Sequence, residues 1–160
     1  MAKATKAVPT GYHTITPVLT LDHAAQAMEW YKKALSAEEV SRSVGPDGKI
    51  MHAELKIGDS RFMVNDVMMG KGPQAFGGSP AALWLFVEDS DALFKRAVGA
   101  GATVQMPIAD QFWGDRGGSV ADPAGYTWWI ATRKEDLTPD EMKQRAAAFY
   151  EEMAKQPTSR

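Results

Sequence analysis

Residues 15–35 read ITPVLTLDHAAQAMEWYKKAL, and residues 83–101 read LWLFVEDSDALFKRAVGAG. In each, a short run of β-branched and apolar residues meets an acidic residue and passes directly into a helical pattern. In the first, the strand signal runs from Tyr12 to Leu21. Asp22 is placed to cap a helix whose Ala24, Met28, Tyr31 and Leu35 share one face. In the second, Leu83 to Val87 is the strand. Asp89 or Ser90 caps a helix carrying Leu93, Phe94, Ala97 and Val98, and Gly101 can end it in the left-handed conformation.

Working outward, each strand–helix pair is followed by three strand signals. After the first come 38–45, then Lys49 to Ile57 beyond the Pro46-Asp47-Gly48 turn, then Arg61 to Asp66 beyond Gly58-Asp59. After the second come Thr103 to Ile108, an irregular strand at 112–121 interrupted by Gly114, Gly117 and Gly118, and Tyr126 to Thr132 beyond Asp122-Pro123-Ala124-Gly125. Overlaying the copies matches Val18 with Trp84, Thr20 with Phe86, Met63 with Trp129 and Val64 with Ile130, 66 positions apart. Matching Trp30 with Phe94 and Val40 with Val104 gives 64 instead. A single strand–helix–three-strand unit leaves one sheet face uncovered, and pairing two units buries it in a shared cup. The expected fold is therefore α+β: two tandem βαβββ modules forming a cupped mixed sheet, followed by a C-terminal helix. The expected boundaries are a disordered tail (1–11), a first module (12–67), a Gly/Pro-rich linker (68–80), a second module (81–133) and a helix (134–156). Thr138, Pro139 and Glu141 form a capping box at the helix start. Met142, Ala146, Phe149, Tyr150 and Met153 line one face, suited to docking on the body or on a partner subunit.

Composition narrows the function classes. The chain is 160 residues long, 44% hydrophobic and 24% charged, with net charge −2 and no cysteine. Thiolate chemistry, disulfides and Cys-type metal sites are excluded. No basic field for nucleic acid and no apolar stretch of membrane-spanning length is present. A cytoplasmic location is the expectation.

Four segments carry a family resemblance: 15–35 with its Met-Glu-Trp-Tyr core, MHAELKIGDSRFMVND (51–66), FWGDRGGSVADPAGYTWWIAT (112–132) and EDLTPDEM (135–142). Together they resemble the vicinal-oxygen-chelate, or glyoxalase/bleomycin resistance/dioxygenase, superfamily, in particular its PhnB-like branch. The resemblance implies ligand sites inside the cup and a homodimer. In metal-dependent members, His, Gln or Glu ligands come from the first and last strands of each module. Here those positions fall at or near Thr16, Met63, Ala82 and Trp129, and shifting by one residue brings in no better ligand. No metal and no other cofactor is expected.

The only histidines are His13, His23 and His52. His52 and Glu54, two apart on one strand face, are the candidate catalytic pair, as a base and its orienter or as two ligands of an irregular site. A solvated surface pair is the simpler reading. By strand parity the cup is lined by Met63, Asn65, Trp84, Phe86 and Trp129, with Trp113 and Arg116 from the WGDRGG segment. Arg116 is a candidate for a carboxylate or phosphate, or a member of a surface network with Asp115. Three functions remain: a metal-independent binder of a small hydrophobic or aromatic molecule, a superfamily enzyme (lyase, isomerase or dioxygenase), or a structural module whose aromatics fill the cup.

Overall fold

The structure is a computed structural model that describes residues 6–155; Met1–Thr5 and the last five residues lie outside it, so the expected tail and helix end are described only in part. The first module comprises β1 (Val18–Leu21), α1 (Ala24–Leu35), β2 (Glu38–Val44), β3 (Ile50–Ile57) and β4 (Ser60–Asp66). The second comprises β5 (Ala82–Phe86), α2 (Ser90–Gly99), β6 (Thr103–Asp110), β7 (Asp115–Ala121) and β8 (Thr127–Arg133), followed by α3 (Pro139–Lys155). Each module forms one four-stranded sheet, in the orders β1-β4-β3-β2 and β5-β8-β7-β6. The first strand of each runs parallel to the last, and the other neighbours are antiparallel. Between the modules, the expected linker holds a short 3-10 turn at Pro73–Phe76.

The internal repeat is visible in the strand register. Val18 pairs with Met63, and Trp84 pairs with Trp129. The spacing of 66 also continues through the helices, which corrects the match of Trp30 with Phe94. The Ala24 N–H is capped by the Asp66 carboxylate at 2.8 Å, and the Ser90 N–H by the Thr132 hydroxyl at 2.9 Å. Trp30 Nε1 donates to the Ala100 carbonyl at 2.9 Å, and Arg96 Nε donates to the Ala34 carbonyl at 3.0 Å. Trp30 thus corresponds to Arg96. Pairing by aromatic character misled, because what the two positions share is an N–H donor aimed at the end of the opposite helix. Asp22 does not cap α1 either. His23 occupies the cap position without a side-chain bond, and Asp66, arriving from β4, takes over the task. Asp89 caps α2 through the Ala92 N–H, as expected.

Both helices bury the faces their sequences show, save that Val98 stays partly exposed. One apolar cluster joins Met28, Tyr31, Leu93, Phe94 and Ala97 to Leu55, Phe62 and Val64 of the first sheet and to Val120, Trp128 and Ile130 of the second. What the modules share within the chain is this helix-side core. Tyr31, Phe62 and Trp128 meet at its centre, with ring centroids 5.6–5.9 Å apart. The opposite sheet faces remain open, and Val18, Trp84 and Phe86 are among their exposed apolar residues.

Buried polar atoms in the core converge on Asp122. One carboxylate oxygen accepts the Ala124 and Tyr126 N–H groups, both at 2.9 Å. The other accepts the Tyr31 hydroxyl at 2.9 Å and the Trp128 indole N–H at 2.8 Å. Burial and the Asp122 charge together push the Tyr31 hydroxyl pKa far up, so it remains a donor. The capping box of α3 forms as read, with Glu141 N–H to Thr138 Oγ1 at 3.3 Å and Thr138 N–H to Glu141 Oε2 at 2.8 Å.

Asp122→Ala strands four donors, three of them in buried bonds, and is expected to lower unfolding free energy by roughly 3–5 kcal/mol in urea titrations. Tyr31→Phe leaves Asp122 three donors and is expected to cost about 1 kcal/mol. Equal effects of the two would show that the carboxylate does not organise this network.

Candidate functional site

Two chemically different open faces result from the fold. On the first sheet, β3 and β4 register Glu54 opposite Met63 and Lys56 opposite Arg61. His52, Glu54, Lys56, Arg61, Met63 and Asn65 therefore share one face with Val18 and Thr20. His52 Nε2 lies 3.6 Å from Glu54, and Arg61 Nη1 lies 3.0 Å from its other oxygen. Tyr12, from the chain leading into β1, lies with the Arg61 guanidinium 5.1 Å over its ring. Tyr12 first, with His52 and Arg61 adding to it, holds the Glu54 carboxyl below the usual range against the opposing effect of burial. The sequence reading found His52 and Glu54 but missed Tyr12, which it placed at the start of the first strand, whereas that strand begins only at Val18 and Tyr12 lies in the irregular chain before it.

On the second sheet the open face is aromatic. Trp84 and Trp129, neighbours on β5 and β8, stack with centroids 4.6 Å apart and planes 1° from parallel. Trp113 meets both edge-on at 6.2 and 6.1 Å, and Phe86 extends the array at 6.1 Å from Trp84. Trp113 is held by Asp115, which accepts its indole N–H at 3.0 Å and lies 3.1 Å from Arg133. The array continues outward: Phe112 packs on Trp113 and on Phe149 of α3, at 4.9 and 4.8 Å. Phe149, Tyr150 and Met153 remain substantially exposed, and α3 buries no residue.

The structure therefore brings Trp84, Phe86, Trp113 and Trp129 together and places Met63 and Asn65 on the other sheet's open face. Arg116 stands apart. It shares the helix-side face with Val120 and Trp128, and its guanidinium is engaged by Asp91 at 2.6 and 2.7 Å and by Asp110 at 3.1 Å. The adjoining glycines serve strand packing: a Cβ on Gly118 would lie 2.6 Å from the Met106 carbonyl, beside the irregular β6–β7 register.

The residues at the family's metal positions do not fit a divalent ion. Met63 offers a soft thioether, Ala82 offers nothing, and the Trp129 indole is stacked on Trp84. Among the described residues no group of three or more His, Asp or Glu is placed to hold a metal. Among the described residues no helix is long and apolar enough to cross a membrane.

Two clefts adjoin these features. One, of about 560 Å³, runs between the modules and is lined by His13, Ile15, Arg61, Trp84 and Phe86 among others. Another, of about 400 Å³, lies on the helix side by Asp22, His23 and Trp30 and contains none of the expected site residues.

Because Glu54 is held below the ordinary glutamate range in the folded chain, its bonds stabilise the fold fully above that range. The contribution is lost as pH falls through the depressed value. Glu54→Gln is accordingly expected to be less stable than the unsubstituted protein at neutral pH, with the difference closing in acid. Thermal melts across a pH series check this, and a gap that widens on acidification would contradict the direction.

Comparison with known proteins places these features. Residues 13–130 match the family described as Glyoxalase/Bleomycin resistance protein/Dioxygenase superfamily. An uncharacterised protein of Mycobacterium bovis is 43% identical over 135 residues, covering 81% of this chain and 89% of that one. An uncharacterised protein of Mycobacterium tuberculosis is equally similar, with 79% of its length covered. The crystal structure of TioX from Micromonospora sp. ML1 superposes with a TM-score of 0.61 at 25% identity, over 79% of this chain and 100% of that one. A Bacillus cereus structure described as a putative 3-demethylubiquinone-9 3-methyltransferase, PhnB protein, shares the fold with a TM-score of 0.58 at 19% identity, over 75% and 99% of the two chains. With the match spanning both modules and the duplicated register behind it, the chain belongs to the glyoxalase/bleomycin resistance protein/dioxygenase superfamily.

Proposed function

We propose that this protein is a metal-independent binder of a small planar aromatic molecule and acts as a homodimer. The carrying observation is the parallel Trp84–Trp129 stack on an open sheet face, where Trp84 remains 45% exposed. Indoles that only filled a core would be covered. An exposed pair presenting a flat face instead suits stacking by a ring of similar size. Asp115 supports this reading, because a buried carboxylate that fixes Trp113 against the pair keeps the platform in one shape.

Dimerisation is favoured by the extent of open apolar surface. Val18, Trp84 and Phe86 on the sheets, with Phe149, Tyr150 and Met153 on α3, are large apolar side chains left exposed, the kind of surface that a partner covers. A second copy laid against these faces completes a cup that a single chain leaves open.

A neutral probe, anthracene-9-methanol, is expected to quench tryptophan emission saturably. Trp84→Ala and Trp129→Ala are each expected to weaken its binding about tenfold, as the loss of one stacking surface does. Undiminished binding in both variants would sink the assignment. Elemental analysis after incubation with Ni²⁺, Zn²⁺, Mn²⁺ or Fe²⁺ and desalting is expected to find almost no metal per chain. A near-stoichiometric ratio would overturn the metal-independent reading.

A further inference from the structure

We infer that the cleft between the modules takes an aromatic carboxylate, with Arg61 anchoring the acid and Trp84 and Phe86 supporting the ring. This rests on the binding reading above and assigns the class of ligand and its polar anchor. The cleft joins both kinds of open face: Arg61 comes from β4 of the first module, Trp84 and Phe86 from β5 of the second. Its volume of about 560 Å³ suits a fused-ring molecule.

Arg61 is held in place but is not used up. Its guanidinium lies over the Tyr12 ring, and one nitrogen bonds Glu54 at 3.0 Å. Gly11 lies so near that a Cβ there would stand 3.0 Å from Nε. Among the described residues Glu54 is its one hydrogen-bond acceptor, so most of the donors of its fork remain uncommitted. Arg116 offers the contrast, since Asp91 and Asp110 already engage it. Asp59 also lines the cleft, and Glu38 stands opposite Lys56 on β2, so the geometry of the Arg61 fork and not a surplus of charge carries the assignment. A fixed guanidinium with free, parallel N–H groups is matched by a carboxylate, which accepts two bonds at once.

The test compares three probes of one shape in the full-length protein by titration calorimetry: anthracene-9-carboxylate, its neutral carboxamide and the cationic 9-(aminomethyl)anthracene. The carboxylate is expected to bind at least about tenfold more tightly than either of the others. Arg61→Gln is expected to abolish that preference while leaving carboxamide affinity within about twofold, and Trp84→Ala to weaken carboxylate and carboxamide alike. If loss of the Glu54 and Tyr12 contacts prevents Arg61→Gln from folding, Arg61→Lys serves. It keeps the charge but loses the fork, and is expected to reduce the preference by about threefold or more. Equal binding of acid and amide, or a preference that survives in the Arg61 variants, would overturn the carboxylate assignment alone. Failure of all three probes to bind would overturn the aromatic-binding reading beneath it.

Discussion

The Asp122 carboxylate is the constraint on which the arrangement of the two modules depends. It sits at the turn before β8, 5% exposed, and receives four donors. Two are backbone N–H groups of its own turn, one is the Trp128 indole, and one is the hydroxyl of Tyr31 from the other module. An ionised group removed from water is tolerated only when its lone pairs are met in this way. Tyr31 is fully buried, so it cannot withdraw without leaving its hydroxyl or the carboxylate unsatisfied. The bond thus specifies which face of α1 meets the second sheet. The reciprocal bonds of Trp30 to Ala100 and Arg96 to Ala34 then fix the two helices against each other. With the helix sides of both sheets committed to one core, their other faces are left for a ligand or a second chain.

Duplication supplied the frame, and divergence supplied two different surfaces. Positions related by the repeat have kept their backbone roles: Ala24 and Ser90 are both capped from the end of the module's last strand, by Asp66 and Thr132. At the open faces the same register carries unlike chemistry, Val18 beside Met63 in one module and Trp84 beside Trp129 in the other. A divalent ion needs hard or borderline donors converging from both modules. A thioether on one side and stacked indoles on the other do not supply them, whereas they do supply polarisable surface for a flat molecule.

How much was legible in the sequence depended on whether the signal was local. Strand parity placed Trp84, Phe86 and Trp129 on a common face because the period of two is geometric. The Thr138–Glu141 cap was readable because its members are three residues apart. Asp66 capping α1 and Tyr31 bonding Asp122 were invisible, since their partners are 42 and 91 positions distant. Trp30 was aligned with the wrong residue because type was compared where hydrogen-bonding role is what the repeat preserved. Arg116 read either as an anion site or as part of a surface network with Asp115; it does sit in an ion-pair network, but with Asp91 from α2 and with Asp110. Tyr12 read as the first residue of a strand that in fact begins only at Val18.

The surroundings of Glu54 favour the proposed binding reading over acid–base catalysis. A carboxylate serving as a general base near neutral pH works best when its proton affinity is raised, which burial in apolar surroundings achieves. Glu54 is shifted the other way, chiefly by Tyr12, with His52 and Arg61 reinforcing it. Arg61 Nη1 stands 3.0 Å from one of its oxygens and His52 3.6 Å from the other. Its evident effect is on its neighbours: it orients the Arg61 guanidinium, and the Tyr12 ring covers that group from above. Fixing a cation before the ligand arrives lowers the ordering cost of binding. On the binding reading proposed above, Glu54 takes the role of positioning residue for Arg61.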